Sequence, residues 1–229
     1  MPIFIDTGNF EKIKKFNEMG IIRGVTTNPT ILAKEGIVKN LKDLEKLSKD
    51  ISNLIFPHPL SLEVTSNDEL EMIDQAKVFS SWSENINVKI TIHGPNGELE
   101  NLKVINRLEN ELDIRVNVTA MMSAQQCLIA SLSGATYVSI FGGRINNMGH
   151  DSKNEIKLLR SLLDNLDLSS KIIVGSTREI FNVIEWLNAG AHIITCTPNI
   201  IEGMIVHPYT KETVQMFLND SKKINLKYI

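Results

Sequence analysis

The sequence predicts an α/β fold, a single-domain (β/α)8 TIM barrel. Short apolar, β-branched runs alternate with longer amphipathic stretches along the 229 residues. There are eight such runs, one per roughly 28 residues, which is the count of that barrel. The competing architecture, a doubly wound sheet, usually carries a Gly-rich loop after its first strand. Here that strand ends in "DTGNF", with no G-x-G-x-x-G behind it.

In chain order, "IFID" (3–6) reads as the first strand, followed by the amphipathic "NFEKIKKFNEM". "RGVTT" (23–27) is the second, and "LAKEGIVKN" then breaks a short helix from the longer "LKDLEKLSKDISNL". "LSLEVT" (60–65) precedes the helical "NDELEMIDQAKVFSSW", and "INVKIT" (86–91) is the fourth strand. "IRVNVT" (114–119) leads into "SAQQCLIASLS", and "YVSIF" (137–141) towards "SKNEIKLLRSLLDNL". "KIIVGS" (171–176) leads into "TREIFNVIEWLNAG", and "HIITCT" (192–197) is the last strand. No Pro-, Gly- or Ser-rich linker and no shift in composition divides the chain. One domain is expected over residues 1–229, with no internal repeat beyond the alternation.

Composition narrows the class. Hydrophobic residues at 42% and charged residues at 22% fit an ordinary globular protein with a substantial core. The net charge is -3 and the lysines are scattered, which argues against a nucleic-acid partner. No signal peptide and no membrane-length apolar run is read. Cys127 and Cys196, far apart, suggest reduced thiols in a cytoplasmic protein. Five dispersed histidines without H-x-x-x-H or C-x-x-C pairs argue against a metal site. The "NVT" at Asn117 matches a glycosylation sequon and is read as accidental.

Active sites of such barrels form where strands end. The strand ends here supply Asp6; Thr26, Thr27 and Asn28; Glu63 and Thr65; Lys89 and Thr91; Asn117 and Thr119. Later ones supply Ser139, Phe141 and Arg144; Ser176 and Arg178; Thr195 and Thr197. Each has a bland alternative. Asp6, Asn28 and Ser176 suit helix N-caps, threonine suits any strand, and Lys89 with Asp6 and Glu63 could be a structural ion pair. Yet Lys89 lies among Ile86, Val88, Ile90 and Ile92, and a charge buried in a barrel is costly unless paired or neutralised.

A desolvated lysine amine can condense with a ketone, and the protonated imine is an electron sink for breaking a neighbouring carbon–carbon bond. Asp6 or Glu63 could move the protons. Asn28, Asn117, Thr119 and Ser139 could hold a polyhydroxy substrate. Arg144, Ser176 and Arg178 read as a phosphate clamp, near where such barrels often bind phosphate. The residues thus point to a Schiff-base aldol enzyme acting on sugar phosphates.

The chain resembles the small-subunit transaldolase family, which includes fructose-6-phosphate aldolases. The matching pieces run in order: "FIDTGN", "GVTTNPTIL", "LSLEV", "NVKI", "VNVTAMMSAQQ", "SGATYVSIFGGRINNMGHD", "IIVGSTR", "NAGAHIITCTP" and "MIVHPYT". The resemblance implies Lys89 as the Schiff-base lysine, Asp6 as an acid/base residue, and Glu63 with Thr119 positioning a catalytic water. It implies Asn28 and Asn117 at the substrate hydroxyls or imine, Thr26 and Ser139 in the pocket wall, and Arg144, Ser176 and Arg178 at the phosphate. It implies no metal or organic cofactor and a ring-shaped homo-oligomer, pentamer or decamer. The C-terminal segment, about 211–229, would reach a neighbouring subunit.

Family members with glutamate at position 63 and phenylalanine at position 141 tend to transfer a dihydroxyacetone unit. Those with glutamine and tyrosine tend to release it. Glu63 and Phe141 therefore imply a transaldolase of the pentose phosphate pathway. The alternatives are a fructose-6-phosphate aldolase and a non-catalytic sugar-phosphate binder. The last is raised by the loop after Lys89: "KITIHGPNGEL" has Thr91 where the family has proline and His93 where it has threonine, and is about two residues longer.

Overall fold

The computed structural model describes residues 2–224. Eight parallel strands close into a barrel in sequence order, with helices outside. β1 (Ile3–Asp6) leads to α1 (Phe10–Glu18), and β2 (Val25–Thr26) to α2 (Pro29–Glu35) and α3 (Leu41–Ile55). β3 (Leu60–Glu63) is followed by α4 (Glu69–Ser80), β4 (Ile86–Thr91) by α5 (Glu100–Glu111), and β5 (Val116–Met121) by α6 (Ala124–Leu132). β6 (Tyr137–Phe141) runs into α7 (Gly142–Asn147) and α8 (Ser152–Asn165), and β7 (Lys171–Gly175) into α9 (Ile180–Asn188). β8 (Ile193–Cys196) pairs back onto β1 and is followed by α10 (Pro198–Ile205) and α11 (Pro208–Lys223). Among the described residues, no helix is long and apolar enough to cross a membrane.

Alternation along each strand sorts residues into two sets. Ile5, Val88, Ile90, Val116, Val118, Val138, Ile140, Val174 and Ile194 belong to one core with Phe16, Leu108, Leu159 and Trp186 from the helices. Each large apolar side chain buried there contributes about 1.5–3 kcal/mol, so this outer shell holds the barrel closed. The lumen has its own small cluster, Phe4, Ile173 and Ile193, with Tyr137 against it. Opposite these sit buried polar residues Ser61, Asn87, Asn117 and Ser139.

Several elements differ from expectation in detail. β2 covers only Val25 and Thr26, and the Arg23 side chain before it donates to the Gly20 and Ile22 carbonyls. β5 extends to Met121, and its register against β6 shifts between Val118 and Met121, where Ala120 is left-handed at φ 61. β7 stops at Gly175, because Ser176 is also left-handed, at φ 59. "GGR", expected as the tail of a strand, is instead the first turn of α7. The glycines allow it: a Cβ on Gly142 would stand 2.7 Å from the Trp186 ring, and one on Gly143 would stand 1.9 Å from Ser176 O. Of the C-terminal segment, α11 buries no residue against the barrel, and 225–229 lie outside the described residues.

Candidate active site

A cavity of about 660 Å³ opens at the C-terminal ends of the strands. Asp6, Thr26, Asn28, Glu63, Lys89, Thr119, Ser139, Phe141, Arg144, Ser176 and Arg178 all line it. Of the residues predicted for the site, only Asn117 does not. It is wholly buried below the floor, where its amide donates to Ser61 Oγ at 3.1 Å and its oxygen accepts from Ser139 Oγ at 2.6 Å. Its contact with the cavity wall runs through Ser139. The same burial puts its sequon out of reach of any glycosylating enzyme.

Lys89 projects into the lumen from the middle of β4, between the outward-facing Val88 and Ile90, and is 5% exposed. Nζ donates to Thr27 O at 2.8 Å and stands 3.0 Å from Glu63 Oε2. Glu63 is its register partner on β3, and the two side chains emerge at one height on adjacent strands. Thr119 is nearly fully buried, lines the same floor, and has no hydrogen-bond partner for its hydroxyl among the described residues.

Asp6 ends β1 and accepts from Thr26 Oγ1 at 2.7 Å. Thr26 in turn is 2.6 Å from Thr195 Oγ1. Burial pushes the Asp6 carboxyl above its usual range. Lys89 and the Thr26 hydroxyl pull it down, while the Glu35 and Glu63 charges add to the rise. Asp6 does not cap a helix: α1 is capped by Asn9. Ser176 is likewise no cap, since α9 begins at Ile180 and Glu179 is its cap. Asn28 is both a cap, accepting from Ile31 N at 2.9 Å, and a cavity wall.

On the far wall the exposed side chains of Arg144 and Arg178 flank Ser176. Gly143 brings α7 against the Ser176 backbone, and the Arg178 stem packs over the same glycine. Arg144 lies over the Phe141 ring, 5.3 Å from its centroid. Neither guanidinium is in a salt bridge among the described residues. Two unpaired guanidiniums and a hydroxyl suit an anionic group.

The unusual loop after Lys89 is a closed turn. Gly94 and Gly97 are tied by a backbone bond, and Glu98 accepts from Asn96. Asn101 donates to the Thr91 carbonyl and hydroxyl, fixing the strand end. Thr91 to Leu99 are absent from the cavity wall. Sequence reasoning passed over Glu35, which does line it. In "LAKEG" it reads as one more charge on an amphipathic helix, and only the folded barrel brings it to Thr7.

Comparison with known proteins bears on the fold and the family. Among solved structures, a thiamine phosphate pyrophosphorylase from Pyrococcus furiosus matches with a TM-score of 0.59 at 12% identity, covering 86% of this chain and 85% of that one. A mandelate oxidase matches at 0.57 and 10%, covering 87% and 66%. At such identities the likeness is one of fold alone. A probable transaldolase from Nitrosopumilus maritimus is 39% identical over 98% of this chain and 96% of its own. Another from Shouchella clausii is 38% identical over 99% and 100%. The description "Transaldolase/Fructose-6-phosphate aldolase" belongs to the family profile that matches residues 3–228. The chain belongs to the transaldolase/fructose-6-phosphate aldolase family.

Proposed function

We propose that this protein is a transaldolase, moving a dihydroxyacetone unit from a ketose phosphate such as fructose 6-phosphate or sedoheptulose 7-phosphate to an aldose phosphate. The observation that carries the reading is Lys89: a 5%-exposed lysine at the floor of a cavity of about 660 Å³, 3.0 Å from a carboxylate. That volume suits a sugar phosphate.

Glu63 can take the proton that the Lys89 amine must shed. The free amine then adds to the substrate ketone, and loss of water gives the protonated imine. Glu63 and the unpartnered Thr119 hydroxyl suit that water. The bond between the third and fourth carbons breaks, its electron pair moves into the imine to give an enamine, and the proton of the fourth-carbon hydroxyl passes to Asp6. The aldose phosphate leaves. The enamine then attacks the acceptor aldehyde, Asp6 returns its proton to the new alkoxide, and hydrolysis frees the product and the amine. An Asp6 carboxyl raised by burial suits a group that must both take and return a proton. Arg144, Ser176 and Arg178 hold the phosphate throughout.

Phe141 and Glu63 favour transfer over release, because a phenyl ring offers the enamine no proton. Exchange between such sugar phosphates is the chemistry of the pentose phosphate pathway, and the reading assigns the enzyme to it. A homo-oligomer is part of this reading: α11 buries nothing, and it exposes Tyr209, Val214, Phe217 and Leu218. Borohydride reduction with fructose 6-phosphate, followed by peptide mapping, tests the whole. A three-carbon adduct on Lys89 is expected, and Lys89→Met should abolish adduct and turnover. An adduct on another lysine, with Lys89→Met still active, refutes it. Binding of sugar phosphate without adduct or turnover supports a non-catalytic binder instead.

A further inference from the structure

We propose that Glu35 is a positioning residue for Asp6: through Thr7 and Gly8 it fixes the turn that follows the acid, and it keeps a second negative charge beside it. The proposal rests on the reading of Asp6 as the acid/base group.

The Thr7 hydroxyl donates to Glu35 Oε1, and the Gly8 N–H donates to Oε2 at 2.9 Å. These are the two residues directly after Asp6. Thr7 is 2% exposed, and its hydroxyl also accepts from the Asn9 N–H at 3.2 Å, so the bond to Glu35 sets the course of the chain from β1 to the cap of α1. A Cβ on Gly8 would stand 2.7 Å from Leu32 and 2.9 Å from Glu35 Oε2, so glycine is what lets α2 rest on this turn.

Helix α2 has no fully buried residue. Half-buried Leu32 rests on the Gly8 turn, and both ends of the helix are tied down. Asn28 caps the first turn, and Glu35 ties the last to the residues beside Asp6. One short helix thus joins a substrate-facing asparagine to the turn behind the acid, and both line the cavity.

Charge adds to geometry. The groups facing Asp6 are Lys89 from β4, Glu63 from β3, Thr26 from β2, Glu35 from α2 and the Cys196 thiol from β8, with Lys12 and Lys34 at the cavity mouth. Burial raises the Cys196 thiol to about 12, so it stays neutral. Glu35 therefore joins Glu63 in opposing ionisation of Asp6, against the buried cation Lys89. Neutralising Glu35 favours the Asp6 carboxylate and moves the acid limb of activity to lower pH.

Two variants separate position from charge. Glu35→Gln keeps an acceptor for the turn and removes the charge. Glu35→Ala removes both. With fructose 6-phosphate and erythrose 4-phosphate across pH, Glu35→Gln should displace the acid limb of kcat/KM to lower pH. Glu35→Ala should lower kcat by roughly ten- to a hundredfold, the scale of a misplaced catalytic group, with KM little changed. Borohydride trapping on wild-type Lys89 is the control. If wild type gives no adduct, the functional reading fails and this inference with it. If wild type is trapped normally, a Glu35→Gln profile that coincides with wild type, or a Glu35→Ala kcat within about twofold of it, overturns the Glu35 assignment alone.

Discussion

Replacing Gly143 by alanine tests how closely the anion-binding wall is fitted. The new Cβ would stand 1.9 Å from Ser176 O, where ordinary contact begins at 3.4 Å, so α7 and Ser176 must part by about 1.5 Å (3.4 − 1.9). Gly143 does not have a positive φ, and alanine favours a helix, so the strain is one of contact alone. Overpacking of this kind costs about 1–3 kcal/mol, a fall of several degrees in Tm for a chain of this size. The same parting draws Ser176 and Arg178 away from Arg144. Losing one charge-assisted contact costs about 1.5–3 kcal/mol, which is roughly ten- to a hundredfold in kcat/KM. The assay compares fructose 6-phosphate with unphosphorylated fructose as donor, at saturating erythrose 4-phosphate. The loss should fall on the phosphorylated donor. Equal losses for both donors, or a wild-type Tm with wild-type kcat/KM, would refute the reasoning.

Phe141→Tyr places a hydroxyl beside the proposed enamine and should raise release of free dihydroxyacetone from fructose 6-phosphate without acceptor, at some cost to transfer. An assay of released dihydroxyacetone reads it directly, and no increase would remove Phe141 from the explanation. Asn87 is fully buried and neither polar atom of its side chain has a partner among the described residues. Asn87→Val should therefore hold or raise stability, by about 1–3 kcal/mol at most, read as a shift in the urea midpoint. A marked loss of stability would show that the amide is satisfied after all.

The barrel was legible because its determinants are local and periodic. Alternating runs such as "INVKIT" and "YVSIF" announce their strands, and polar residues at their ends announce the face that carries chemistry. What was not legible depends on contacts between distant segments. "GGR" reads as the tail of β6 until Ser176 and Trp186 are packed against its glycines. Ser176 and Ala120 take left-handed conformations that their types rarely adopt, so strand ends there were misjudged by a residue or two. Asn117 was placed on the substrate side because alternation gives its face but not its depth. Glu35 is named by no pattern, because its bond to Thr7 spans 28 positions and appears only when β1 and α2 are neighbours.

The interleaving of the two residue sets along each strand has a consequence for redesign. On β4, Val88 and Ile90 belong to the outer shell, while Asn87, Lys89 and Thr91 alternate with them on the other face. A library confined to lumen positions leaves the packing between strands and helices intact, so most of its members should fold, and their differences should appear in turnover. A library at the outward positions should do the reverse, varying melting behaviour while leaving substrate preference alone. Scaffold and reactivity can thus be evolved in separate rounds from one strand, by choosing odd or even positions.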